Sequence, residues 1–218
     1  MHYDALAIGE NEIRFGIGHL LDLSKKYGLP LLSTNLLYSG SGKPIGSKYI
    51  IEEVGGTRGI LGRKGSVKIG IFSVILPFYA HSTGEKAMRD YDVLSPKVTA
   101  MEAVSSLKRS GCNLIVAVSH QGWRKSIDLA KSVDGIDIVI NAHRAHDHTY
   151  SERTGKTLVV DAGDKRMSFS EIIVTFKGDS LFTKAIDSYD EVIKTPRNEY
   201  LDRLYREYDE ELEKAGLK

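Results

Sequence analysis

The sequence has 218 residues, with 30 Lys and Arg against 29 Asp and Glu, a formal charge of +1, and 41% hydrophobic residues. This balance lacks the basic excess of a nucleic-acid binder and the acidic excess of a disordered tail, and the length allows a hydrophobic core without covalent staples. The single cysteine, Cys112, excludes an intrachain disulfide and a Cys-x-x-Cys-His haem attachment, and it reads as a small buried residue.

The opening MHYDALAIGE has no basic region leading into a long apolar run, so it is not read as a signal peptide. No apolar stretch approaches the roughly 20 residues that span a bilayer. The first short apolar run, 3–8, predicts a strand ending at Gly9. A helix follows over 16–27, with Ile17, Leu20, Leu21 and Leu23 on its apolar side and Gly28-Leu29-Pro30 as its stop. Strands are predicted at 30–34 and 49–54, separated by a Ser- and Gly-rich loop at 39–44. The segment 55–65 holds five glycines with Arg58, Arg63 and Lys64. It reads as a hairpin or insertion before a phosphate cradle, because it runs into the strand 67–74 and not into a helix.

A polar segment containing His81 follows Pro77. Pro96 suits the first turn of a helix over 96–109, with Val98, Met101, Val104 and Leu107 at helical spacing. Strand 113–118, helix 124–132 and strands 136–140, 157–160 and 170–176 complete an alternating α/β pattern. The organisation is read as 1–178 for the sheet domain and 179–218 for a connector with Pro196 and an amphipathic helix over 198–214. That helix carries a stripe of Leu201, Leu204, Tyr205, Tyr208 and Leu212, a surface that must dock on its own domain, a partner or a further domain.

Three polar segments fall just beyond predicted strand ends, where open α/β sheets collect ligands. They are Gly9-Glu10-Asn11-Glu12, Ser119-His120-Gln121-Gly122 and the run Asn141 to His148, which includes His143, His146 and His148. Singly, these read as a turn carboxylate, a hydrogen-bonded loop histidine and a polar surface loop. Aligned strand ends would instead bring Glu10, His120 and His143 together. Two imidazoles and a carboxylate hold a divalent ion and leave positions open.

At these motifs the chain resembles the 5′-nucleotidase branch of the calcineurin-like metallophosphoesterases. The resemblance runs through Tyr3-Asp4-Ala5, Gly9 to Gly16, Pro30 to Asn35, Ser119-His120-Gln121-Gly122, Gly135 to His143 and Asp161-Ala162-Gly163. It implies a four-layer α/β/β/α sandwich lacking the family's first strands, and an expected compartment that is periplasmic or extracellular. It also implies a two-metal site in which the paired ions stabilise the attacking and leaving oxygens of a phosphoester. The departures are specific. Glu10 replaces the family's asparagine ligand, Asn11 its transition-state histidine, and Arg14 the aspartate that orients that histidine. His143 matches the first histidine of Gly-His-x-His, but Ala145 stands at the second, with His146 one residue late. The Asp-x-His and Gly-Asp ligand segments have no counterpart in this sequence.

The expected centre is therefore one divalent ion, Mn, Zn or Fe, on Glu10, His120 and His143, with Asn11, His146 and His148 as additional candidates. Phosphoester hydrolysis would be weak or lost, with a nucleotide or phosphoester as ligand. The alternative is a non-catalytic module docking through the 198–214 helix on a partner chain or missing C-terminal domain, a multihaem cytochrome being one such partner. Neither nucleic acid nor a membrane span is expected.

Overall fold

Apolar β-rich runs build the frame of the molecule. The computed structural model describes residues 3–59, 62–143, 149–163, 169–177, 180–188 and 198–214. Strands β1 (Leu6–Ala7) and β2 (Leu31–Leu32) form a short parallel pair, linked by helices α1 (Glu10–Phe15) and α2 (Ile17–Tyr27). Gly28, at φ 64°, closes α2 in the left-handed region where glycine carries no Cβ penalty.

The main sheet has six strands. β4 (Ile50–Gly59) and β5 (Gly62–Ile75) form an antiparallel hairpin, so the glycine-rich segment is a hairpin as predicted. β5 then pairs in parallel with β7 (Leu114–His120), β7 with β8 (Ile138–Ala142), and β8 with β10 (Thr157–Asp161). Edge strand β9 (Tyr150–Thr154) runs antiparallel to β10. The near-continuous apolar sequences of β7 and β10 fit parallel strands covered on both faces.

The pleat sends alternate residues to opposite faces. Phe72, Val74, Ile115, Ala117, Val139 and Val159 pack under α5 (Pro96–Arg109) and α6 (Trp123–Ser132). Leu114, Val116 and Ile138 face the hairpin of β11 (Phe169–Lys177) and β12 (Ser180–Ser188), through Ile172, Val174, Phe176 and Leu181. Helices, sheet and hairpin therefore stack as layers. β12 lies in a stretch read from sequence as connector.

A third cluster joins α1, α2 and β2 to the end of β5, through Ile8, Ile13, Ile17, Leu20, Leu31 and Ile75. Buried side chains stitch this unit to the sheet. Asn35 donates from Nδ2 to the Ile75 carbonyl at 2.9 Å and accepts the Ile75 N–H at 2.9 Å. Thr34 Oγ1 accepts the Ser73 N–H at 3.0 Å, and Ser73 Oγ donates to the Leu32 carbonyl at 3.0 Å. The carboxyl ends of β2 and β5 are thereby tied together, and β1 pairs with β2.

The polar segment after Pro77 is helical. It forms α3 (Pro77–His81) and α4 (Glu85–Met88), both too short to show a helical period, and leads into β6 (Tyr91–Val93), which pairs with β3 (Leu36–Tyr38). The final helix, α7, spans Glu199–Lys214. Among the described residues no helix is long and apolar enough to cross a membrane.

Candidate metal centre

The three predicted donors converge at one rim of the sheet. Glu10 opens α1, with Ile8 and Gly9 between it and β1, and so is helical and not in the turn expected from sequence. His120 is the last residue of β7, in register between Ile75 of β5 and Ala142 of β8. His143 follows β8 and has φ 68°, the one non-glycine residue at positive φ among the described residues.

Glu10 lies between the two rings. One carboxylate oxygen contacts His120 Nε2, and the other lies 3.2 Å from His143 Nδ1. One donor atom from each of the three residues fits within a 4.8 Å span. All three side chains are mostly shielded, at 13, 19 and 17% exposure for Glu10, His120 and His143. The imidazoles stand edge to face, with centroids 5.1 Å apart. Close approach depends on Gly9, because a Cβ there would lie 2.9 Å from His120 Cε1. The Gly9 N–H donates to Glu12 Oε2 at 2.9 Å, which occupies Glu12 in capping α1.

The Glu10 carboxyl is held below the usual carboxylate range. Burial alone would raise it; its own backbone hydrogen bond, the contact with His120 and the charge of both histidines outweigh that. An ionised carboxylate beside two imidazoles is the donor set a borderline divalent cation takes. The residues therefore fit one such ion.

The remaining predicted residues divide. Asn11 is exposed on α1 and outside the cluster. His146 and His148 lie outside the described residues. Two features escaped the sequence reading. Tyr79 of α3 stacks on His143, with centroids 3.6 Å apart and planes inclined by 28°. Beneath the strand ends runs a buried polar chain. Gln121 Nε2 donates to Ser119 Oγ at 3.0 Å, and Ser126 Oγ lies 2.9 Å from Ser119 Oγ. Ser126 Oγ donates to Asn141 Oδ1 at 2.7 Å, Asn141 Nδ2 donates to Asp161 Oδ2 at 2.9 Å, and the Gly163 N–H donates to Asp161 Oδ1 at 2.9 Å. The one signal of this chain in the sequence is polar residues at strand ends that otherwise read as apolar.

No family model matches the chain. Among curated proteins, the 2′,3′-cyclic-nucleotide 2′-phosphodiesterase/3′-nucleotidase of Haemophilus influenzae is 26% identical over 160 residues, covering 66% of this chain and 23% of that protein. The 5′-nucleotidase of Bos taurus is 30% identical over 150 residues, covering 65% of this chain and 23% of that protein. The chain thus spans about a quarter of the length of these curated relatives. Among solved structures, the sulfate thiohydrolase SoxB of Thermus thermophilus superposes with a TM-score of 0.77 at 19% identity, covering 93% of this chain and 36% of that one. The calcineurin-like phosphoesterase YfkN of Bacillus subtilis gives 0.76 at 20% identity, covering 96% of this chain and 70% of that one. The expected fold is borne out by these superpositions. The chain thus has the calcineurin-like metallophosphoesterase fold, and over about two-thirds of its length its sequence is similar to that of 5′-nucleotidase-type proteins.

Proposed function

We propose that the domain holds a single divalent ion on Glu10, His120 and His143, and that its hydrolysis of nucleotides or other phosphoesters is weak or absent. The observation that carries this reading is Glu10, whose carboxylate reaches both imidazoles. Beside that convergence, the groups a phosphoesterase needs are replaced. Asn11 stands where the resemblance expects a proton-handling histidine, and an amide does not titrate near neutrality. Arg14 stands where it expects the orienting carboxylate. When bound, the ion would polarise one phosphoester oxygen. Glu10, His120 and His143 would hold it, and the charge of Glu10 would offset part of its own. A single ion leaves one side of the transferring phosphoryl group uncompensated, which costs roughly 10³-fold in rate.

Elemental analysis of untagged protein is expected to find about one divalent ion per chain, held by a site that offers three protein donors. Hydrolysis of AMP with Mn²⁺ is expected to lie roughly 10³-fold below that of an intact two-metal nucleotidase. Rapid AMP turnover by protein free of contaminating phosphatase would overturn the reading, as would metal-free protein that takes up no ion.

A second reading, docking on a partner through α7, rests on one observation. Tyr200, Leu204, Tyr205 and Tyr208 are each about half exposed or more on that helix. A stoichiometric complex that dissolves when these residues are replaced by Ser or Gln would support it.

A further inference from the structure

We infer that Tyr79 is a positioning residue that holds the His143 ring against Glu10, an inference that rests on the three-donor reading of the centre. His143 follows β8 in a left-handed backbone conformation, at φ 68°. Residues other than glycine avoid that region, and such geometry persists only where surrounding contacts over-determine it. Contacts on the ring bear on this directly. Glu10 Oε1 lies 3.2 Å from Nδ1 of the ring, and the face of Tyr79 covers the ring at a centroid distance of 3.6 Å. Tyr79 also meets His120 edge to face, with centroids 6.3 Å apart and an interplanar angle of 81°. One aromatic side chain therefore touches both histidines.

The placement of Tyr79 is itself built in. Leu76, the residue after β5, donates its N–H to the His120 carbonyl at 3.1 Å, and Tyr79 donates its N–H to the Leu76 carbonyl at 2.9 Å. The turn bearing Tyr79 is thus tied to the strand bearing His120. Gly122, at φ 78°, turns the chain beside the stack, where its Cα faces the Tyr79 hydroxyl and the His143 carbonyl. The stack needs only the ring. Tyr79→Phe keeps it, and Tyr79→Leu keeps bulk but removes the flat face. A ring face is electron-rich, so it also favours an imidazole made more positive by a bound cation.

The test is a Co²⁺ titration of the full chain, followed by visible absorption. Outer contacts of metal-bound histidines are worth about 10- to 100-fold in affinity, so Tyr79→Leu is expected to weaken Co²⁺ by at least about tenfold and Tyr79→Phe by less than about threefold. Thermal unfolding of the metal-free variants should stay close to that of the parent, separating positioning from general destabilisation. A Leu variant that binds Co²⁺ as tightly as the parent would overturn the inference. If the parent itself takes up no Co²⁺, the metal reading fails, and NMR of metal-free protein decides the stack alone. In the parent and the Phe variant, His143 ring protons should be shifted upfield and show cross-relaxation with ring 79. Absence of both signals in the parent would overturn the inference even if the Leu variant fails to fold.

Discussion

Glu10 occupies the first turn of a helix, where a negative charge is favoured by the exposed backbone N–H groups. Its role separates from its shape in Glu10→Gln, which keeps the volume and removes the charge. Co²⁺ affinity should fall by about tenfold or more in that variant, as for other losses around a metal-bound histidine, and calorimetric titration would show it. Asn141 is a second informative residue. It is buried, and it joins Ser126 to the fully buried Asp161. Asn141→Leu removes one donor from a buried carboxylate and should cost about 2–3 kcal/mol, read from urea unfolding. A third is Asp137. Burial raises its carboxyl above the ordinary value, against the lowering effects of the Ile115 N–H and of Lys108. The folded chain then keeps that proton to a higher pH than the unfolded chain, so this group's contribution to stability falls as pH rises through the interval between the two values. Asp137→Asn removes the titration. Its stability relative to the parent should be greatest at neutral pH and shrink in mild acid.

At the scale of elements, close approach has a visible cost. A Cβ on Gly46 would lie 2.5 Å from the Leu31 carbonyl oxygen and 2.8 Å from Leu31 Cβ, both fixed parts of β2. Gly46→Ala should therefore destabilise by about 1–3 kcal/mol in urea unfolding, because backbone must move to admit the methyl group. The same scale explains what the sequence disclosed. β7 and β8 are legible because apolar runs end abruptly in polar residues, and that change marks His120 and His143 as strand-end residues. β9, with the sequence YSERT, has no such signature, since an edge strand with polar residues on both sides shows little alternation. α3 and α4 have five and four residues, too few for a period, and Tyr79 was hidden with them. The stack of residue 79 on residue 143 is decided by the parallel order of β5, β7 and β8, which local propensity does not encode.

Across the whole molecule, stability resides in the sheet and its two coverings. α7 keeps most of its apolar side chains in solvent, and a lone helix of its length is marginal in water. Deleting 198–214 should leave the thermal midpoint within a few degrees of the parent by calorimetry, while removal of the β11–β12 hairpin, which covers Leu114, Val116 and Ile138, should abolish cooperative unfolding. The stitch between β2 and β5 has a kinetic counterpart. Glu10 meets His120 across 110 positions of chain and His143 across 133. Contacts that close such long loops carry an entropic cost repaid only after strand order is established. The centre is therefore expected to assemble late, after the strand order is set. A saturating divalent ion should slow unfolding and leave the refolding rate unchanged in stopped-flow chevrons, so that the ion acts as a latch on a finished fold and not as its nucleus.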